Sequence, residues 1–173
     1  MKLGLLSTAI VFAASSALAQ HAHQSSSPSE TGQSQFAAIA EIVTLLRDDP
    51  ETDWAQVDIN ALRDHLVDMD NVTTKASVQQ AVDGWGVTFS ITGDEVVASS
   101  IQRMVLAHSA MLQRASGWTV VSKAMDDGAT MMVRASSAKE MEQLLGLGFF
   151  GLMTIGAHHQ QHHLMIAKGR SPH

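Results

Sequence analysis

The chain has 173 residues, enough for one ordinary domain rather than two with separate cores. With 45% hydrophobic and 16% charged residues it is neither a solvated disordered chain nor a coiled-coil rod, and a formal charge of −6 argues against the basic face a non-specific nucleic-acid binder needs. The absence of Cys removes disulfides, thiolate chemistry, iron–sulfur clusters, Cys-ligated zinc and covalently attached c-type haem, and leaves 10 Met and 9 His as the unusual feature of the composition.

Residues 1–19 read as a secretory signal: Lys2 supplies the positive start, residues 3–14 are apolar or small, and Ala17-Leu18-Ala19 fits a small-x-small cleavage site. Export to the periplasm or medium is expected, with no transmembrane anchor left after cleavage. Residues 20–35 are Ser/Gln-rich, carry His21 and His23, and read as a disordered tether. A single globular domain is expected over 36–168, followed by a tail, 169–173, that ends in His173.

Phe36, Ile39, Val43 and Leu46 recur at helical spacing until Asp48-Asp49-Pro50 stops the run. Asp58 is the N-cap of a second helix, with Ile59, Leu62, Leu66 and Met69 on one face and its end at Asn71. Strands follow over 72–82 and 85–92, turning at Asp83-Gly84. Asp94 caps a long helix to about Arg114. The scheme then recurs, with strands over 118–124 and 129–135 and a helical stretch from Ser136-Ser137 to about Lys168. The expected fold is α+β: an N-terminal helical hairpin followed by two ββα units, forming a small antiparallel sheet covered by helices. Identity between the halves is too low to establish duplication, although Met104 with His108 is echoed by Met153 with His158. The apolar run 144–157 falls short of the roughly 20 residues a spanning helix needs, and its glycines predict a break near 146–148.

The densest chemistry is His158-His159-Gln160-Gln161-His162-His163. On a helix, His158/His162 and His159/His163 are both i,i+4 pairs, which lets two imidazoles converge on one ion. As one helix, Leu152, Ile155, His159, His162 and Ile166 would share a stripe continuing a buried face. The competing reading is a solvated patch that favours the negative end of a helix dipole. On the Asp94 helix, Met104, His108 and Met111 present two thioethers and an imidazole on one side, a set suited to Cu(I); alternatively the methionines fill the core and His108 bonds a backbone carbonyl. His65 and Met69 form a third i,i+4 pair, flanked by Asp64, Asp68 and Asp70 as outer-shell acceptors or as structural partners.

No phosphate-binding glycine loop, nucleophile elbow, zinc-protease motif or di-iron carboxylate pattern appears, so a non-enzymatic role is favoured. The leading expectation is an exported His/Met-rich metal-binding protein, a copper carrier, buffer or sensor. Zinc ranks lower because Met adds nothing to a zinc site, and His and Met still bind copper where thiols are liabilities. One alternative is an exported interaction or accessory domain that meets a protein partner and has structural or pH-responsive histidines. A third is a non-covalent haem or redox protein with His and Met axial ligands.

Overall fold

The computed structural model describes residues 35–157 and 159–170. The expected signal, most of the tether, His158 and residues 171–173 lie outside the described residues.

The polypeptide begins with two helices, α1 (Gln35–Asp48) and α2 (Ile59–Lys75). Two ββα units follow: β1 (Ser77–Asp83), β2 (Gly86–Thr92) and α3 (Glu95–Ser116), then β3 (Thr119–Met125), β4 (Gly128–Arg134) and α4 (Ala138–Leu152). A last short helix, α5 (His159–Ala167), completes the described residues, which form an α+β fold with a four-stranded antiparallel sheet. None of these helices is long and apolar enough to cross a membrane.

Capping sets the helix starts. The Asp58 carboxylate accepts from the Ala61 amide at 2.9 Å, and Asp94 accepts from Val97 at 3.0 Å. At α4 the Ser137 hydroxyl accepts from the Glu140 amide while the Glu140 carboxylate accepts from both the amide and the hydroxyl of Ser136, a reciprocal box that holds the Glu140 carboxyl below its ordinary range. Gly117, at φ 76°, closes α3 in the left-handed region.

The sheet order is β1-β2-β4-β3, so the second strand of each hairpin lies inside. Alternate residues Val87, Phe89 and Ile91 of β2 and Ala129, Met131 and Val133 of β4 are buried on one face, the period of two expected of a half-covered sheet. α3 and α4 pack on that face through Val105, Leu112, Leu144 and Phe149, with the Phe89 and Phe149 rings 6.3 Å apart. The two units are offset by one constant: Ser77 and Thr119, and likewise Gly86 and Gly128, are 42 residues apart, and all four strands have 7 residues. The pairing obeys the same symmetry, since Gly86 opposes Arg134 just as Gly128 opposes Thr92. Beyond the strands, Gly93 donates to the Asp127 carbonyl and Ala135 to that of Trp85. The Met104/Met153 echo is not part of this repeat, because its spacing differs from the strand offset.

A second apolar cluster stands apart from the sheet. Ile42 and Leu46 of α1, Leu62 and Leu66 of α2, and Ala167 of α5 form it. The Asp58 amide donates to the Ala167 carbonyl at 2.8 Å and Lys168 meets Asp49 at 2.8 Å, so the last helix returns to the first two.

Several boundaries differ from expectation for identifiable reasons. α2 runs past Asn71 to Lys75 because the Asn71 amide is buried and donates across to the Ser100 hydroxyl at 3.0 Å, and Val72 is buried with it; the first strand starts only at Ser77. The first hairpin turns on Gly84-Trp85, since Asp83 and Gly86 are still paired. Phe36 is 83% exposed, because α1 buries Ile42 and Leu46 instead. The helical stretch after Ser137 breaks at Gly148 (φ 57°), inside the glycine segment that predicts a break. It stops again at Met153, where Gly156 at φ 76° turns the chain, so α5 starts in a new phase. The expected stripe through Leu152, Ile155, His159, His162 and Ile166 is therefore replaced: α5 buries His163 and Ala167.

Candidate functional site

Where α2, α3, α5 and the turn before α5 meet, they leave a groove of about 1260 Å³. His65 and Met69 of α2, Met104, His108 and Met111 of α3, and His159 and His162 of α5 all line it. Residues of all three His/Met sets thus face one space, the α5 pair that does so being His159 and His162 at i,i+3. His163, 4% exposed, lies behind this wall in ring contact with the others.

The imidazoles form a connected group. His65 has its ring centre 4.8 Å from that of His162 and 5.5 Å from that of His163; His163 is in turn 6.4 Å from His162 and 6.2 Å from His159. Two imidazoles bound to one tetrahedral ion at about 2.0–2.1 Å per Zn–N bond place their ring centres roughly 5 Å apart. The His65 distances match that spacing, with the rings inclined at 49° and 68°. Among the described residues no group of three or more His, Asp or Glu side chains is already gathered as a metal site. Convergence of rings is present; convergence of their lone pairs on one point requires ring rotation.

His108 is held differently. It is 4% exposed, and its Nε2 lies 3.0 Å from the Leu152 carbonyl, which can only accept; Nε2 therefore carries the proton and donates. This is the backbone-bonded alternative that the sequence offers for His108. The bond fastens the end of α4 to α3, and the backbone of Gly156 packs one turn further along, where an added Cβ would lie 2.8 Å from Ala115 and 3.1 Å from the Met111 carbonyl. Met153, between these two fastenings, also lines the groove. Its place is visible in sequence only as the Met104/Met153 echo, and it is not among the sequence-predicted ligands.

A polar chain braces the groove wall between α2 and α3. The Asp68 carboxylate accepts from Arg103 Nε at 2.7 Å and Nη2 at 2.6 Å, and from the Ser100 hydroxyl at 2.7 Å. Asn71 donates to Ser100 and accepts from Lys75 at 2.8 Å. Burial pushes the Asp68 carboxyl up, but the bonds from Arg103 and Ser100, with the charges of Arg103 and His65, outweigh it and hold the group below the usual carboxylate range. The pairing of Asp68 with Arg103 is not evident from a sequence in which they stand 35 residues apart.

The sign of this shift fixes a pH dependence. A depressed carboxylate stabilises the fold above its unfolded-state value and loses that contribution as pH falls through its folded-state value. Asp68→Asn is expected to cost about 1–2 kcal/mol at neutral pH, the range of a charge-assisted pair reduced by solvent at the exposed guanidinium. The difference from wild type should shrink on acidification to about pH 3, below the reference Asp value of about 3.9. Urea unfolding at the two pH values checks this; a difference independent of pH would assign the loss to packing.

Overall the groove sets three carboxylates, Asp58, Asp64 and Asp68, against two guanidiniums, Arg103 and Arg170. With neutral imidazoles its balance is one negative charge, which suits a cation. No protein-family model matches the chain, and neither curated proteins nor solved structures show a significant likeness to it.

Proposed function

We propose that this is an exported copper-binding protein, acting as a carrier, buffer or sensor, and that the groove between α2, α3 and α5 receives the metal. The observation that carries the reading is the approach of His65 to His162 and His163 across two helices, at ring-centre distances of 4.8 and 5.5 Å. Neither helix alone provides this arrangement. Copper is preferred to zinc because the same groove adds Met69, Met104 and Met111, soft ligands of use to copper. Completing the site by turning two rings costs about 0.5–1.5 kcal/mol per side chain, small beside the roughly 8 kcal/mol of a micromolar complex.

The test is a copper titration of the mature, tag-free protein against a competing chelator, with elemental analysis of the product. Stoichiometric copper held at micromolar or tighter affinity is expected, weakening as pH falls because imidazole must lose its proton to bind. Protein that remains metal-free in the titration overturns the reading. One further reading is favoured by the groove's volume, which exceeds the 300–1,000 Å³ of common small-ligand sites: a planar macrocycle held between His and Met. An intense visible absorption band on mixing with haem would select it over copper.

A further inference from the structure

We infer that the groove has two chemically distinct ends, and that the thioethers of Met104, Met111 and Met153 form a Cu(I) site separate from the imidazole end, which suits Cu(II). The inference rests on the copper reading above and divides it by oxidation state. Met104 and Met153 pack against the sheet cluster, whereas Met69, Leu164 and Ile166, the neighbours of the imidazoles on α2 and α5, pack against the satellite cluster. The two ligand types thus belong to two bodies of the fold that meet at the groove.

The placement of Met153 gives the thioether end its third sulfur. Met104 and Met111 stand two turns apart on α3, about 10.5 Å along the axis at 1.5 Å per residue. The chain carrying Met153 is fastened between them, by the His108 bond to Leu152 on one side and by the close approach of Gly156 to Met111 on the other. Met153 therefore starts at the level of His108, between the levels of the Met104 and Met111 backbones, where it can share an ion with either of them, and all three side chains line the groove. Flexible, uncharged thioethers favour the soft Cu(I) ion and offer little to Cu(II), for which imidazole nitrogen is the better ligand. His108 is here a positioning residue: its proton is committed to Leu152, and through that bond it sets where Met153 stands.

The experiment compares anaerobic Cu(I) competition against a chromogenic chelator with Cu(II) binding followed by electron paramagnetic resonance, both on the full mature chain. Met104→Leu with Met153→Leu keeps the core volume nearly constant. It should weaken Cu(I) by at least about tenfold, the low end of what even an outer-shell change costs a metal, and leave the Cu(II) spectrum and affinity unchanged. Met111→Leu alone, at a partly exposed position, should act in the same direction and serves if the double variant unfolds. His108→Leu should weaken Cu(I) and His108→Gln, whose amide can also donate to the Leu152 carbonyl, should restore part of it; a purely structural role would move the unfolding midpoint and both copper affinities together. Wild-type protein that binds Cu(II) but not Cu(I), or Cu(I) affinity unmoved by the methionine changes, overturns the two-ended groove and leaves the copper reading standing. Binding of neither ion overturns both.

Discussion

Gly128→Ala is expected to be the most damaging single-methyl change in the sheet, costing about 3–5 kcal/mol. Gly128 sits at φ 153°, a conformation L side chains rarely adopt, and a Cβ there would lie 2.0 Å from the Ile91 carbonyl oxygen and 3.1 Å from the Thr92 Cα. The obstacles are backbone atoms of the adjoining central strand, in a register where Thr92 opposes Gly128. Relief requires parting β2 from β4. Backbone strain of about 1–3 kcal/mol adds to an overpacking cost of similar size, against a total stability of roughly 5–15 kcal/mol for a domain. The 42-residue repeat provides the control: at the equivalent Gly86 the nearest atom to an added Cβ is 3.4 Å away and φ is ordinary, so Gly86→Ala should cost well under half as much. Gly84→Ala, at φ 55° with open space around it, isolates the conformational part, about 1–2 kcal/mol. Urea unfolding of the three variants checks the order; equal losses at 86 and 128 would contradict the clash.

That contrast marks where sequence information ends. Asp58 and Asp94 are recognisable caps because capping is local chemistry, decided within three residues. The two ββα units are legible for the same reason, from alternation and turn residues. Asn71 misleads because its partner, Ser100, is 29 residues away; a buried amide and a helix-ending amide are the same letter. The interruption at 153–156 also escapes, since Gly156 turns the chain against Met111 and Ala115 of another helix. Phe36 is an apolar residue at helical spacing for which α1 has no burial, and periodicity cannot distinguish such a residue from Ile42.

The candidate site divides along the same line. Each His/Met set is visible as a spacing on its own helix, yet their common groove depends on α5 returning to α1 and α2 through Ala167. That docking is a long-range fact with no local signature. It also decides the partners: His65 is nearest in the chain to Met69, but its close ring neighbours are His162 and His163, almost a hundred residues later.

Replacing His65 and His162 together by Ala should weaken Cu(II) binding by at least about 100-fold, or about 2.8 kcal/mol at 1.4 kcal/mol per factor of ten, with each single change accounting for part of the loss. These two are the informative pair because both are only partly buried, line the groove, and approach each other at 4.8 Å from different helices. His163 is a poorer choice: at 4% exposure its truncation would open space in the packing between α2 and α5 and confuse folding with binding. The metal-free double variant should unfold within about 1 kcal/mol of wild type, as changes on a groove wall generally do. Wild type should instead gain stability with copper by mass action, and the variant should lose most of that gain. Gln161→Ala, exposed on the same helix, should leave copper binding unchanged. If the double variant keeps its fold and its full Cu(II) affinity, Cu(II) is held by residues other than this pair, and the convergence of α2 with α5 is packing alone.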